Sequence, residues 1–264
     1  MKVSISVSDV PSAMPQIMFS GNLEARFAFL KQLGYEGVDL FFPNPRHTQV
    51  QKVKALLDAN GLKATMLASQ GDLMADGLFL NKPEVLPQLL ERSRYHLEQC
   101  AILEAMPNVG FLRGRHDGNL DSLKYMADGL AAYCALAQSF GVQVLLEPIC
   151  RYEIDSVLTV DQALTLWEKA DRPCNLGLLL DLFHMNIEER SLCGAICHAG
   201  SLIRHVHFVD NTRAVPGMGC LPLKEITACL KAAGYQGFLG IEAIPGASPE
   251  EEARKGLQYI RTIE

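Results

Sequence analysis

Short apolar runs alternate along this chain with longer stretches in which apolar residues recur every three or four positions. The runs are VSISVS (3–8), GVDLFF (37–42), KATMLAS (63–69), NVGFLRG (108–114), QVLLEP (143–148), NLGLLLD (175–181), LIRHVHFVD (202–210) and GFLGIEAI (237–244). Their length and their β-branched and aromatic content predict eight strands. The intervening spacing predicts helices over 23–33, 48–60, 83–103, 120–140, 159–170, 186–199, 221–233 and 249–263. Gly34, Gly61, Gly141 and Gly234 follow four of these, at the position where a left-handed residue ends a helix.

Most of the runs are apolar throughout rather than alternating, so both of their faces are buried, as in a parallel sheet covered by helices. Eight strand–helix units in 264 residues predict a closed (β/α)8 TIM barrel, with residues 1–264 forming a single domain. An open doubly wound sheet is the alternative, but no GxGxxG follows the first strand.

Composition narrows the partners. Hydrophobic residues make up 48% of the chain, enough for a large core. A net charge of −6 gives no support to a nucleic-acid partner. The eight cysteines lack CxxC spacing and are expected as buried free thiols in a reducing compartment. No apolar run approaches the ~18–20 residues that span a bilayer, and residues 1–8 look like a strand rather than a secretion signal. The expectation is a cytoplasmic, soluble homo-oligomer, a dimer or a tetramer, with no membrane association.

Chemistry concentrates in the second half. There, four apolar runs stop at a carboxylate or histidine: VLLE at Glu147, GLLLD at Asp181, HVHF at His207 and FLGIE at Glu242. The active site of such a barrel lies at the C-terminal ends of its strands, so these four residues can converge. Three carboxylates crowded together would take up protons unless a cation joins them. Mostly oxygen ligands with one imidazole favour Mn²⁺ first, then Co²⁺ or Mg²⁺, with Zn²⁺ possible. Any one strand-end carboxylate could instead cap a helix or pair with an arginine.

At these residues the sequence resembles the ketose 3-epimerases (the D-tagatose 3-epimerase family) of the xylose isomerase-like barrels. The motif E-x-x-x-R-x-E is present as Glu147, Arg151 and Glu153, and DLFHMNIEE supplies Asp181 and His184. His207 is followed six residues later by Arg213, and Glu242 ends the eighth run. The resemblance covers about residues 141–244; the first half matches only as a barrel. It implies a divalent metal on Glu147, Asp181, His207 and Glu242. It also implies that Glu147 and Glu242 act as an acid/base pair that inverts a carbon next to a ketone through a metal-stabilised enediolate.

His184 and Arg213 are then expected to hold substrate oxygens, and Glu153 to orient a neighbour or contact substrate. His205 shares a strand face with His207 and is expected one layer deeper in the barrel. Glu188 and Glu189 are read as beginning a helix, where they complement its dipole. Departures from the family pattern include Cys150, Leu182 and Cys220. Arg113 and Arg115, at the end of the fourth run, are candidates for binding an anionic end of the substrate. The expected substrate is a small sugar or sugar derivative: a free ketose, a ketose phosphate or a keto-acid. Competing functions are a hydroxypyruvate-type isomerase acting on a hydroxy-keto acid, a DNA-repair nuclease of the endonuclease IV type and a non-catalytic sugar-binding protein. The nuclease would need more strand-end histidines than this chain carries, and the binding protein would be expected to lack an acid/base glutamate.

Overall fold

The computed structural model describes residues 1–11, 14–116 and 118–264. The strands are β1 (Lys2–Ser8), β2 (Phe19–Ser20), β3 (Gly37–Phe41), β4 (Lys63–Ala68), β5 (Met106–Pro107), β6 (Val144–Leu146), β7 (Leu176–Asp181), β8 (Ile203–His207) and β9 (Phe238–Ile241). Eight of them form a parallel sheet in the order β5-β4-β3-β1-β9-β8-β7-β6, and the two-residue β2 pairs with β1. The sheet curls into a nearly closed barrel. Its ends meet where Asn108 bridges Leu145 and the Val109 amide donates to the Leu145 carbonyl at 2.9 Å.

The helices are α1 (Leu23–Leu33), α2 (Val50–Asn60), α3 (Gly71–Ala75), α4 (Leu86–Leu103), α5 (Ser122–Ser139), α6 (Val160–Lys169), α7 (Leu182–Glu188), α8 (Leu192–Ala199), α9 (Leu223–Ala232) and α10 (Pro249–Ile263). Gly34 ends α1 at φ 97°, where its amide reaches the Leu30 and Lys31 carbonyls. A side chain at that φ would be strained, which is why glycine serves there.

The pleat of β1 shows how the layers divide. Val3, Ile5 and Val7 join the apolar layer shared with the helices. Ser4 and Ser6 take the alternate face, where they bond to Asp39 and the Gln16 backbone. A second apolar cluster of Ile17, Phe41, Met66, Leu145 and Leu179 packs apart from that layer.

Three expectations about the elements and the cysteines need correction. The run 108–114 is not a strand; β5 lies just before it, and Phe111 to Arg113 form a turn closed by the Arg113 amide on the Val109 carbonyl. The turn is held from inside by the Arg113 side chain, so burial there comes without sheet pairing. The expected helix 186–199 is two helices. Asp181 caps α7 at once, and Ser191 begins α8 by accepting from the Gly194 amide. The cysteines are not all buried free thiols either. Cys193 on α8 and Cys229 on α9 are disulfide-bonded, and Cys174, Cys197 and Cys220 are exposed. That pairing depends on α8 packing against α9, a contact across 36 residues of sequence that spacing does not encode. The bond removes the cysteine argument for a reducing compartment. Among the described residues, no helix is long and apolar enough to cross a membrane.

Candidate active site

Each proposed ligand sits where a strand stops. Glu147 follows β6 by one residue, Asp181 and His207 are the last residues of β7 and β8, and Glu242 follows β9 by one residue. Register aligns them: Asp181 pairs with His207, and His207 pairs with Gly240. All four are buried.

Their atoms converge. His207 Nδ1 lies 3.4 Å from Asp181 Oδ2 and 3.4 Å from Glu242 Oε2. Glu147, Asp181 and His207 each offer a ligand atom, all within 4.8 Å of one another. Among the described residues, neither ring nitrogen of His207 has a hydrogen-bond partner. A buried imidazole nitrogen left unpaired among carboxylate oxygens is the arrangement a cation would complete. Atoms bonded to one ion at ~2.0–2.6 Å stand roughly 3–5 Å apart, so these residues fit a divalent metal.

Arg213 carries the positive charge next to this cluster. It lies in the turn after β8, at φ 59°, and its amide bonds to the Asp210 carbonyl at 2.9 Å. Its Nη2 is 3.2 Å from Asp181 Oδ2 and makes a short ion pair with Glu242 Oε2. Its Nη1 is 3.4 Å from His184 Nε2, and its guanidinium lies over the Phe183 ring at 4.8 Å. Asp210 builds the turn by accepting from the Gly217 and Leu221 amides.

Burial and charge set the proton affinities. Burial pushes Glu147 up to about 8, with the negative charges of Asp181 and Glu242 adding to the effect. Burial also raises Glu242, against the pull of His207 and Arg213. Asp181 moves the other way: despite burial, Arg213, His184 and His207 hold it well below the carboxylate range. His207, also against burial, is raised to about 10 by Glu242, Asp181 and Asp39. Burial lowers His184. Two carboxyls are thus held toward the protonated state beside one held ionised.

The mouth opens into a cavity of about 370 Å³. Glu147, Glu153, His184, Arg213 and Glu242 line one side, and Phe41, Phe42, Met74, Phe111 and Leu112 form much of the rest. Glu153 stands at the rim, its Oε1 3.9 Å from Arg213 Nη1.

Arg113 and Arg115 lie elsewhere. Arg113 is fully buried, and its guanidinium donates to the carbonyls of Gly110, Glu147, Ser156 and Val157. Burial lowers its pKa to about 9. The expectation that it holds a substrate anion is therefore corrected: its donors are spent on backbone, and it ties the turn after β5 to the segment after Glu147. Arg115 is exposed, donates to the Glu153 carbonyl and lines an adjoining compartment with Asn81 and Lys82.

Arg151 also faces away. It is clamped by the Glu188 carboxylate, which accepts from its backbone amide, Nε and Nη2. Glu188 ends α7 rather than beginning a helix, so its role is this clamp and not a dipole contact. Glu189 accepts from the Val160 amide at 2.7 Å.

Two residues escaped the sequence reading. Asn108 donates to Glu147 Oε2 at 2.6 Å and so fixes that carboxyl. Asp39 lies in β3, fully buried, with its carboxylate facing His205 and His207. A lone acid inside the apolar run GVDLFF was the available signal.

Comparison with known proteins agrees with this architecture. A sequence profile described as xylose isomerase-like TIM barrel matches residues 27–263. A D-psicose 3-epimerase of Ruminiclostridium cellulolyticum is 38% identical over 209 residues, covering 74% of this chain and 68% of that protein. A 3-dehydro-D-guloside 4-epimerase of Escherichia coli strain K12 is 28% identical over 94% of this chain and 97% of its own length. The crystal structure of an E. coli 3-keto-D-glucoside 4-epimerase superposes with a TM-score of 0.80 at 25% identity, covering 99% of this chain and 100% of that one. The chain belongs to the xylose isomerase-like TIM-barrel family and, within it, to the sugar epimerases related to the ketose 3-epimerases, and it is an isomerase.

Proposed function

We propose that this enzyme is a metal-dependent ketose 3-epimerase in which Glu147 and Glu242 move the proton. The observation that carries the reading is the placement of these two buried carboxyls. They leave strands separated by β7 and β8, face one cavity, and are both raised in pKa. Inversion of a carbon beside a ketone needs a proton taken from one face and another delivered to the opposite face, and two separate carboxyls supply both.

Glu147, Asp181, His207 and Glu242 would hold the divalent cation, Mn²⁺ before Co²⁺, Mg²⁺ or Zn²⁺. When bound it would draw electron density from the substrate carbonyl and acidify the neighbouring C–H. Asn108 holds Glu147 by Oε2 and leaves Oε1 facing His184 Nε2, 3.9 Å away. His184 and Arg213 hold substrate oxygens at the reacting end. The apolar wall of Phe41, Phe42, Phe111 and Leu112 excludes water and accepts the C–H faces of a neutral sugar.

With Arg113 committed to backbone, Arg213 is the one lysine or arginine among the described residues that line the main cavity, and it is already paired with Asp181 and Glu242, which favours a free ketose or a glycoside over a hydroxy-keto acid. The same two-carboxyl chemistry would serve C3 of a ketose or C4 of a 3-keto glycoside, the positions named for the relatives.

The test is a panel of ketoses, ketose phosphates, 3-keto glycosides and keto-acids offered to EDTA-stripped protein with and without Mn²⁺, with products read by NMR. Inversion of a neutral substrate that depends on added metal is expected. Full turnover without metal, or turnover of keto-acids alone, contradicts the reading.

A further inference from the structure

Beneath His207 lies a buried polar group that the proposed proton transfer does not use. Asp39 sits in β3, and its carboxylate reaches across the barrel interior toward β8. β1 and β9 lie between these strands in the sheet. Oδ1 accepts from the Ser4 hydroxyl at 2.9 Å and from the Thr65 hydroxyl, and His205 Nε2 lies 3.2 Å from it. Oδ2 has no hydrogen-bond partner among the described residues and faces His207 Nε2 at 3.7 Å. Asp39, His205 and His207 are all buried.

The fold keeps room for this contact. Gly240 on β9 is paired with His207, and a Cβ there would come within 2.3 Å of Asp39 Oδ2 and 2.8 Å of His205 Nε2. Any residue larger than glycine would push the carboxylate and imidazole away. The His205 and His207 rings meet edge to face with centroids 5.2 Å apart, which restricts rotation of the upper ring.

We propose that Asp39 is a positioning residue for the metal centre, holding the His207 imidazole with Nε2 turned to itself and Nδ1 turned to Asp181 and Glu242. An imidazole binds a metal through the nitrogen that lacks a proton, and a partner on the other nitrogen decides which one that is. The Ser4 and Thr65 hydroxyls hold the carboxylate by one oxygen, with His205 Nε2 beside it, so the other is aimed rather than free. A partner behind a metal-bound histidine typically changes metal affinity 10–100-fold. The inference rests on His207 being a metal ligand.

Mn²⁺ titration of EDTA-stripped wild type and Asp39→Asn, without substrate, tests it. The account expects one ion per chain in both and a 10–100-fold weaker affinity in the variant, with helical content retained by circular dichroism. Affinity within twofold of wild type, even with a lowered Tm, would make Asp39 a packing residue and overturn the proposal. Two ions in wild type and one in the variant would mean that Asp39, His205 and His207 hold a cation themselves, and would also overturn it. Wild type that binds no Mn²⁺ removes the metal site and this inference together, whereas equal binding by both proteins removes only this inference. Should Asp39→Asn not fold, ¹⁵N-histidine NMR of Zn²⁺-loaded wild type decides. The proposal expects the proton on His207 Nε2 and the metal on Nδ1, and the opposite assignment overturns it.

Discussion

Strands β6 to β9 deliver Glu147, Asp181, His207 and Glu242 to the barrel mouth, whereas β1, β3, β4 and β5 end at Ser8, Phe41, Ala68 and Pro107. The second half concentrates charge, and the first half answers with an aromatic wall and, one layer down, with Asp39. The same parallel strand thus ends in two ways, with a buried carboxylate or imidazole at the mouth in β6 to β9 and with mostly apolar residues in the first half. The difference teaches that the barrel divides its mouth: one half carries the buried carboxylates and the imidazole, and the other carries most of the apolar wall.

The largest effects should come from breaking the charged half. Glu147→Gln and Glu242→Gln keep side-chain size but cannot carry the proton, and each should lower kcat on the order of 10²–10⁴-fold. Because an amide is also a poorer ligand, metal content must be measured alongside. Near wild-type rates with metal bound would remove the residue concerned from the proton path. Stripping the metal with EDTA should cost several kcal/mol of transition-state stabilisation, roughly 10³-fold in kcat, and Mn²⁺ should restore it.

Arg113 lies on the seam between the halves, joining the turn after β5 to the segment after Glu147. Arg113→Met should leave buried carbonyls unpaired and destabilise the fold by about 3 kcal/mol, read by urea unfolding. Neutral and anionic substrates should lose rate equally. A selective loss for anionic substrates would return Arg113 to substrate binding.

How much of this was legible in the sequence follows the same division. Where an apolar run ended in a carboxylate or an imidazole, as at Asp181 and His207, that residue and the strand end coincided, and both were readable. The turn at 108–114 was not, because Leu112 and Arg113 are buried in a turn held by an arginine that folds back onto carbonyls rather than by sheet pairing, and local pattern does not distinguish the two. The split between α7 and α8 was hidden because Asp181 serves as both strand end and helix cap. Asn108, Asp39 and the Cys193–Cys229 bond depend on contacts between distant segments. Of these, only Asp39 left a trace, as an acid inside an apolar strand.

Smaller effects should sharpen the account of the wall. Phe111→Ala should raise KM roughly tenfold, about 1.4 kcal/mol, with little change in kcat, since the ring contributes apolar surface and no proton transfer. A fall in kcat with unchanged KM would place Phe111 in the chemistry instead. Arg115→Ala, in the adjoining compartment, should change kcat/KM for a neutral ketose by less than roughly threefold, as expected for an exposed charge.

The central claim is that two carboxyls act from opposite sides of one substrate. The most direct measurement is the early isotope pattern of the Mn²⁺-loaded enzyme in D₂O. If one group removes the proton and another delivers a solvent-derived one, the product epimer carries deuterium at the inverted carbon from the first turnovers, while recovered substrate carries little. Product that retains the original hydrogen, or substrate and product labelled equally from the start, would contradict the account.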